Sequence, residues 1–182
     1  MNPDSKTLVF THEFRTAIIS ARDANLFSSN DIFAHFPCRC CGDSCYLLAE
    51  YLRRKGLRTI YVCGDFDGQT HAWLVLDDER VTQPQPRFYE MPETIKPIFS
   101  QYGNEITDPI CVTRYEEKDV ENGLIIDITA DQFGGSPVYV GSMNAFYSNF
   151  QFRNASLCSK LPNPRLVALY DMIATFLPQK RS

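Results

Sequence analysis

The amino-acid sequence predicts an α+β protein in which N-terminal helices pack on an antiparallel β-sheet. Helical periodicity is concentrated near the two ends of the chain, β-rich stretches fill the middle, and turn residues alone separate the first two of these stretches. Strands joined by hairpins form antiparallel sheets, and helices outside such a run pack together on one face. With 182 residues, of which 44% are hydrophobic, we expect a single domain over residues 1–182.

Two helices are predicted in the N-terminal third of the chain. Residues 7–27 carry apolar side chains at helical spacing. The second helix begins at Cys41, and leucines and a tyrosine recur along one face of it. Basic residues at 53–55 suit the negative end of the helix dipole, and Gly56 is well placed to end the helix.

Strands dominate the rest of the chain. Residues 59–64 and 71–76 are rich in β-formers, and the turn sequence DFDGQ between them predicts a hairpin. Residues 80–123 are mostly irregular in pattern, with a short helix expected around 92–103 and a strand around 110–115. Further elements are predicted as follows: strands at 124–133 and 137–141, and a closing helix over 163–177.

Charge and hydropathy exclude several classes of function. The net charge is −4, and no run of Lys or Arg occurs apart from the terminal QKRS, so we expect no nucleic-acid partner. No apolar run approaches the ~20 residues that span a bilayer, so we expect no membrane partner. No secretory signal is visible at residues 1–10, which indicates a cytoplasmic protein or one delivered by a specialised secretion system. No nucleotide-binding motif is present, and we expect no cofactor.

The cysteines pose the main chemical question, because four of the seven lie within eight residues, at positions 38, 40, 41 and 45. An odd number of cysteines without a signal peptide argues against a disulfide framework. One alternative is a structural zinc site built from Cys38, Cys40, Cys45 and His35. Adjacent cysteines such as Cys40 and Cys41 rarely share a tetrahedral ion, and no second pair of ligands follows, so the spacing favours a nucleophile over zinc.

A nucleophile, a base and an orienting acid can be chosen from the residues themselves. Cys41 is predicted where a loop becomes a helix, and a helix N-terminus lowers the pKa of a thiol. His71 opens a strand, from which its imidazole can point into a cleft. Asp127 lies within the apolar stretch LIIDIT, where a carboxylate is costly to bury without a partner, and pairing with His71 would supply one.

These segments resemble a known family. The stretches CGDSCYLLAEYLRRKGLRTIYVCG, HAWLVL and IIDITADQF are similar to the transglutaminase-like branch of the papain-like cysteine enzymes, over residues 36–79 and 123–141. Aligning the family's glycine with Gly56 selects Cys41 rather than Cys40. The resemblance implies that Cys41 is the nucleophile, His71 the general base and Asp127 the residue that orients the histidine. The sequence departs from the family in two ways: an insertion at about 80–122 and the additional cysteines around Cys41.

The function that this resemblance implies is acyl transfer through a cysteine thioester. We expect hydrolysis of an amide in a protein or peptide substrate, by a peptidase or a glutamine deamidase. Transglutaminase-type transfer to an amine is an alternative, as is a non-catalytic protein-interaction domain of the same fold. The backbone N–H of Cys41 is a candidate donor to the oxyanion, and the side chain of Asn30 is a second candidate.

Overall fold

The computed structural model, which describes residues 3–84, 87–89, 110–112, 114–158 and 160–178, contains helices and a five-stranded antiparallel sheet. The helices are α1 (Pro3–Asp23), α2 (Cys41–Arg54), α3 (Glu117–Val120) and α4 (Pro164–Ala174). The strands are β1 (Thr59–Phe66), β2 (Gln69–Leu76), β3 (Arg87–Tyr89), β4 (Ile110–Val112), β5 (Ile125–Asp127), β6 (Tyr139–Gly141) and β7 (Gln151–Leu157). Single 3₁₀ turns lie at Ile32–His35, Ala130–Phe133 and Tyr147–Asn149. The predicted α+β class is confirmed.

The main sheet has the strand order β6-β5-β2-β1-β7, and every neighbouring pair is antiparallel. The predicted hairpin joins β1 to β2 through Asp67 and Gly68, whose φ angles are 49° and 71°. Positive φ angles at both residues are typical of the two-residue turns whose backbone twist matches that of the flanking strands. β5 lies beside β2 although more than forty residues separate them in sequence, and Leu76 N–H donates to Leu124 C=O at 2.9 Å. β3 and β4 form a separate antiparallel pair.

Two apolar clusters cover the two faces of the sheet. On one face, Ala72, Leu74 and Leu76 of β2 belong to the cluster that includes buried side chains of α1, α2 and α4. On the other face, Trp73 and Val75 belong to a second cluster rich in aromatic rings. Strand side chains alternate between faces, so His71 lies on the same face as Trp73 and Val75. This alternation decides which residues can reach the imidazole.

Several elements differ from their predicted bounds. α1 begins and ends four residues earlier than expected, at Pro3 and Asp23. The strand expected over 124–133 ends at Asp127 and is followed by a 3₁₀ turn. β7 was not predicted. The helix expected around 92–103 lies outside the described residues, whereas β4 occupies part of the strand expected at 110–115.

No helix among the described residues is both long and apolar enough to cross a membrane.

Candidate active site

The sheet brings His71 and Asp127 together. Their strands, β2 and β5, pair through Leu74 opposite Ile126, and continuing that register places Asp127 diagonally across from His71 on the same face. The His71 Nε2 and Asp127 Oδ2 atoms are 2.7 Å apart, and the two side chains are 0% and 1% exposed. A charge this deeply buried needs a partner, and the imidazole provides it.

Asp127 has a hydrogen-bond donor on each oxygen besides the histidine. Oδ1 accepts from the Thr129 backbone N–H at 2.8 Å and from the Thr129 hydroxyl at 3.1 Å. Oδ2 also accepts from the Tyr147 hydroxyl at 3.1 Å. Burial, followed by the Asp127 carboxylate, raises the pKa of Tyr147, so its hydroxyl remains a donor. Tyr147 is not among the predicted site residues, although it lies in the aromatic-rich stretch NAFYSNF.

Cys41 is the first residue of α2 and lies beside the start of β2. Its Sγ lies 4.0 Å from the carbonyl oxygen of Thr70, the residue before His71. Burial alone raises the pKa of the thiol. Hydrogen bonding to His71, the charge of the imidazolium, and the backbone N–H groups of Ala72 and Gly42 outweigh burial, and together they lower the pKa of Cys41 below its ordinary 9.0. The thiolate therefore forms more readily at this helix N-terminus than in a free cysteine.

The pKa of His71 is raised, whereas that of Cys41 is lowered. Burial disfavours the imidazolium, but hydrogen bonds to Asp127 and to Cys41 outweigh burial and raise the pKa of His71 from 6.5 to about 9. Nε2 is engaged by Asp127, whereas the buried Nδ1 has no partner within regular hydrogen-bond geometry, so its contact with the Cys41 thiol is looser than a regular hydrogen bond. Nδ1 is thus the nitrogen left to interact with the thiol. The two pKa shifts have opposite directions, and both favour a thiolate–imidazolium pair over the neutral thiol and imidazole.

The neighbouring cysteines have different surroundings. Cys40 is 1% exposed, and its thiol donates to Pro37 C=O at 3.2 Å. Burial raises the pKa of Cys40 to about 12 and that of Cys45 well above its ordinary value, which disfavours both as nucleophiles. Cys38, by contrast, is exposed. Within the described part of the chain, no three or more His, Cys, Asp or Glu side chains are grouped to hold a metal ion, and the four residues of the zinc alternative form no such group.

A carboxamide joins the loop before Cys41 to the segment after Asp127. Gln132 Oε1 accepts from the Arg39 backbone N–H at 3.1 Å, and Gln132 Nε2 donates to Thr129 C=O at 3.0 Å. Arg39 has a φ of 62°, an uncommon conformation for a residue other than glycine, and this hydrogen bond helps to hold it.

A buried cation makes a second connection between the same two segments. The Arg15 guanidinium of α1 donates to Ile128 C=O and, at 2.7 Å, to Asp131. It also lies 5.0 Å from the centre of the Phe36 ring, in the loop that leads to Cys41. Because α1 contacts both segments, its docking helps to fix the position of the thiol relative to the acid.

Aromatic rings enclose the imidazole. The ring centres of Phe133, Phe150, Trp73 and Phe146 lie 5.0, 5.3, 5.8 and 6.3 Å from that of His71. Such a wall keeps water from the His71–Asp127 hydrogen bond and lowers the local dielectric, which strengthens the bond.

Two other polar residues, Asp43 and Asn30, have less direct roles in the candidate active site. Asp43 lies in the first turn, and Arg165 of α4 donates to its carboxylate at 2.6 Å, which offsets a negative charge near the thiolate. Asn30, the candidate oxyanion donor, is exposed and lines a separate cavity with His35 and Cys38. The backbone N–H of Cys41 remains the candidate donor to the oxyanion.

Comparison with protein-family models, curated proteins and solved structures finds no match to this chain.

Proposed function

We propose that this chain is a cysteine-dependent acyl-transfer enzyme with a papain-like, transglutaminase-like core. It acts on amides of proteins or peptides as a peptidase or glutamine deamidase. The observation that carries the proposal is the fully buried 2.7 Å contact between His71 and Asp127, beside a thiol whose pKa is lowered at a helix N-terminus. Perturbed pKa values in such a constellation are typical of catalytic sites.

In the first half of the reaction, the Cys41 thiolate attacks the carbonyl carbon of the amide. The carbonyl π electrons move to oxygen, and the oxyanion accepts a hydrogen bond from the backbone N–H of Cys41 at the start of α2. His71 Nδ1 then gives its proton to the leaving nitrogen, the C–N bond breaks, and a thioester on Cys41 remains. The products of this half are a free amine, or ammonia from a glutamine side chain, and the acyl-enzyme.

In the second half, His71 acts as the base. Neutral Nδ1 takes a proton from water as the water oxygen attacks the thioester carbonyl, and the C–S bond breaks with its electrons returning to sulfur. A carboxylic acid leaves, and the thiolate–imidazolium pair is restored. Asp127 keeps Nε2 protonated and stabilises the imidazolium, while Tyr147 and Thr129 hold the carboxylate in place.

The test combines labelling with trapping of the acyl-enzyme. Brief treatment of the native protein with iodoacetamide should label Cys41 before the other cysteines, and His71→Ala should remove that advantage. Incubation with a library of peptides should add an acyl mass to Cys41 that hydroxylamine removes. Cys40→Ala is the matched control, because it deletes the adjacent thiol and should leave both signals in place.

The same assay separates the remaining activities. Product masses with and without an added primary amine distinguish hydrolysis from amine transfer. If all the thiols are labelled at equal rates and no peptide forms an acyl-enzyme, the non-catalytic interaction domain is favoured and the proposal is overturned.

A further inference from the structure

A cavity of about 320 Å³ adjoins the candidate active site, and the reaction steps above do not use it. Its apolar lining consists of the rings of Phe66, Phe133, Phe146 and Phe150. Its polar lining consists of Asp67, Gln69, Gln132 and Asn149. A concave site with aromatic walls and a few polar groups is the usual form of a ligand pocket.

Several residues that line the cavity contact the reacting residues or their neighbours in sequence. Phe133 and Phe150 line it, and their rings also lie 5.0 and 5.3 Å from that of His71. Gln69 directly precedes Thr70, whose carbonyl oxygen is 4.0 Å from Cys41 Sγ. Gln132 binds the backbone of Arg39, two residues before Cys41. The lining does not include Cys41 or His71 themselves, so the cavity lies next to the residues that surround them.

One wall presents apolar surface to solvent. Phe66 is 50% exposed, more than any other large hydrophobic side chain in the described part of the chain. Its ring meets that of Phe150 edge-on, with 5.7 Å between the ring centres. Covering such a ring with an apolar group is favourable, and aromatic pairs add a further gain beyond the buried area. Phe66 is thus better suited to contact with a ligand than to a role in the core.

The polar lining suits a peptide backbone. The carboxamides of Gln69 and Asn149 are exposed and make no hydrogen bond to another described residue. A carboxamide offers both a donor and an acceptor, as a peptide group requires. Asp67 is the single charged residue in the lining, so the cavity gives little compensation for burying a charged side chain.

We infer that this cavity is the subsite for a large neutral side chain, aromatic or long aliphatic, of the peptide acyl donor, next to the amide under attack. Gln69 and Asn149 hydrogen-bond the peptide main chain at its rim. The inference rests on the proposed function, because it assumes that Cys41 is the nucleophile.

The test uses acetyl-dipeptidyl chloromethyl ketones, in which the thiolate displaces chloride and becomes alkylated at the methylene carbon. Either residue is varied among Ala, Leu, Phe, Asp and Lys, and the rate of Cys41 modification is measured by mass spectrometry. At one of the two positions, Phe or Leu should react about tenfold faster than Ala, Asp or Lys. Phe66→Ala should reduce the ratio of the Phe and Ala rates towards one.

Phe176→Ala is the matched control, because Phe176 is also an exposed phenylalanine, 39% exposed, and lies outside the cavity lining. It should keep the wild-type ratio. Reaction at Cys41 without side-chain preference, or a preference that survives Phe66→Ala, would overturn the subsite and leave the proposed function standing. A Cys41 that reacts with none of the ketones would overturn the proposed function and the subsite together.

Discussion

Replacing Asp127 by asparagine removes the charge beside His71 and keeps the shape of the side chain. In the wild-type protein burial disfavours the imidazolium, yet hydrogen bonds to Asp127 and then to Cys41 raise the His71 pKa from 6.5 to about 9. At 1.36 kcal/mol for each pKa unit, this increase in the His71 pKa corresponds to about 3 kcal/mol. Without the carboxylate, burial prevails, and we expect the His71 pKa to fall to 6.5 or below.

The loss should be visible at the thiol. Since 1.36 kcal/mol is a tenfold change, losing about 3 kcal/mol lowers the population of the thiolate–imidazolium pair about a hundredfold. Alkylation of Cys41 by iodoacetamide at neutral pH should slow accordingly, as measured by mass spectrometry, while NMR titration follows the His71 ring. Asp23→Asn is the control, because that carboxylate is 63% exposed and pairs with Arg22. A His71 pKa that stays near 9 in Asp127→Asn, with unchanged alkylation of Cys41, would refute the reasoning.

We also expect the loss of stability caused by Asp127→Asn to depend on pH. The folded state binds the His71 proton more tightly than the unfolded chain, so this stabilisation is complete below pH 6.5 and is lost as the pH rises through about 9. The difference in the free energy of unfolding between wild type and Asp127→Asn should therefore shrink by about 3 kcal/mol over that interval. Urea unfolding at several pH values measures it, and a difference that grows with pH would contradict the sign.

Two further substitutions test the surroundings of the site. Tyr147→Phe removes the hydroxyl that donates to Asp127 at 3.1 Å but keeps the ring, so it should cost about 2 kcal/mol of stability in urea unfolding and slow the alkylation of Cys41; unchanged alkylation would show that Tyr147 does not position the acid. Asn163→Ala removes the cap that accepts from Leu166 N–H at 3.0 Å at the start of α4, so it should cost about 1 kcal/mol while alkylation stays at the wild-type rate. A slower rate in Asn163→Ala would mean that α4 contributes to the site.

The parts of the fold that the sequence predicted best have strong local signals. α2 begins at Cys41 as expected and ends at Arg54, two residues before Gly56, whose φ of 83° is the left-handed conformation that glycine adopts easily. The β1–β2 hairpin follows from its Asp-Gly turn. The juxtaposition of His71 and Asp127 was expected from the cost of burying a carboxylate in an apolar strand, and the structure places them in contact.

Other parts depend on contacts that local patterns do not encode. β5 is shorter than predicted because the Asp127 side chain accepts from Thr129 N–H, a local turn that competes with the strand ladder. β7 lies at the edge of the main sheet beside β1, and its Ala155 makes an isolated bridge to Tyr115. Its sequence, QFRNASL, has only a weak alternation of apolar and polar residues. The bonds from Gln132 and Arg15 join residues about ninety or more positions apart, which spacing alone cannot reveal.

The segment between β2 and β5 starts and finishes at neighbouring points of the sheet. Val75 lies opposite Ile125, and Leu76 is hydrogen-bonded to Leu124, so the ends of the excursion are fixed by the ladder itself. The β2–β5 register, and not the length of the chain between the two strands, therefore sets which side chains face each other. A connection of another length that preserved this register would still bring His71 and Asp127 into hydrogen-bond contact.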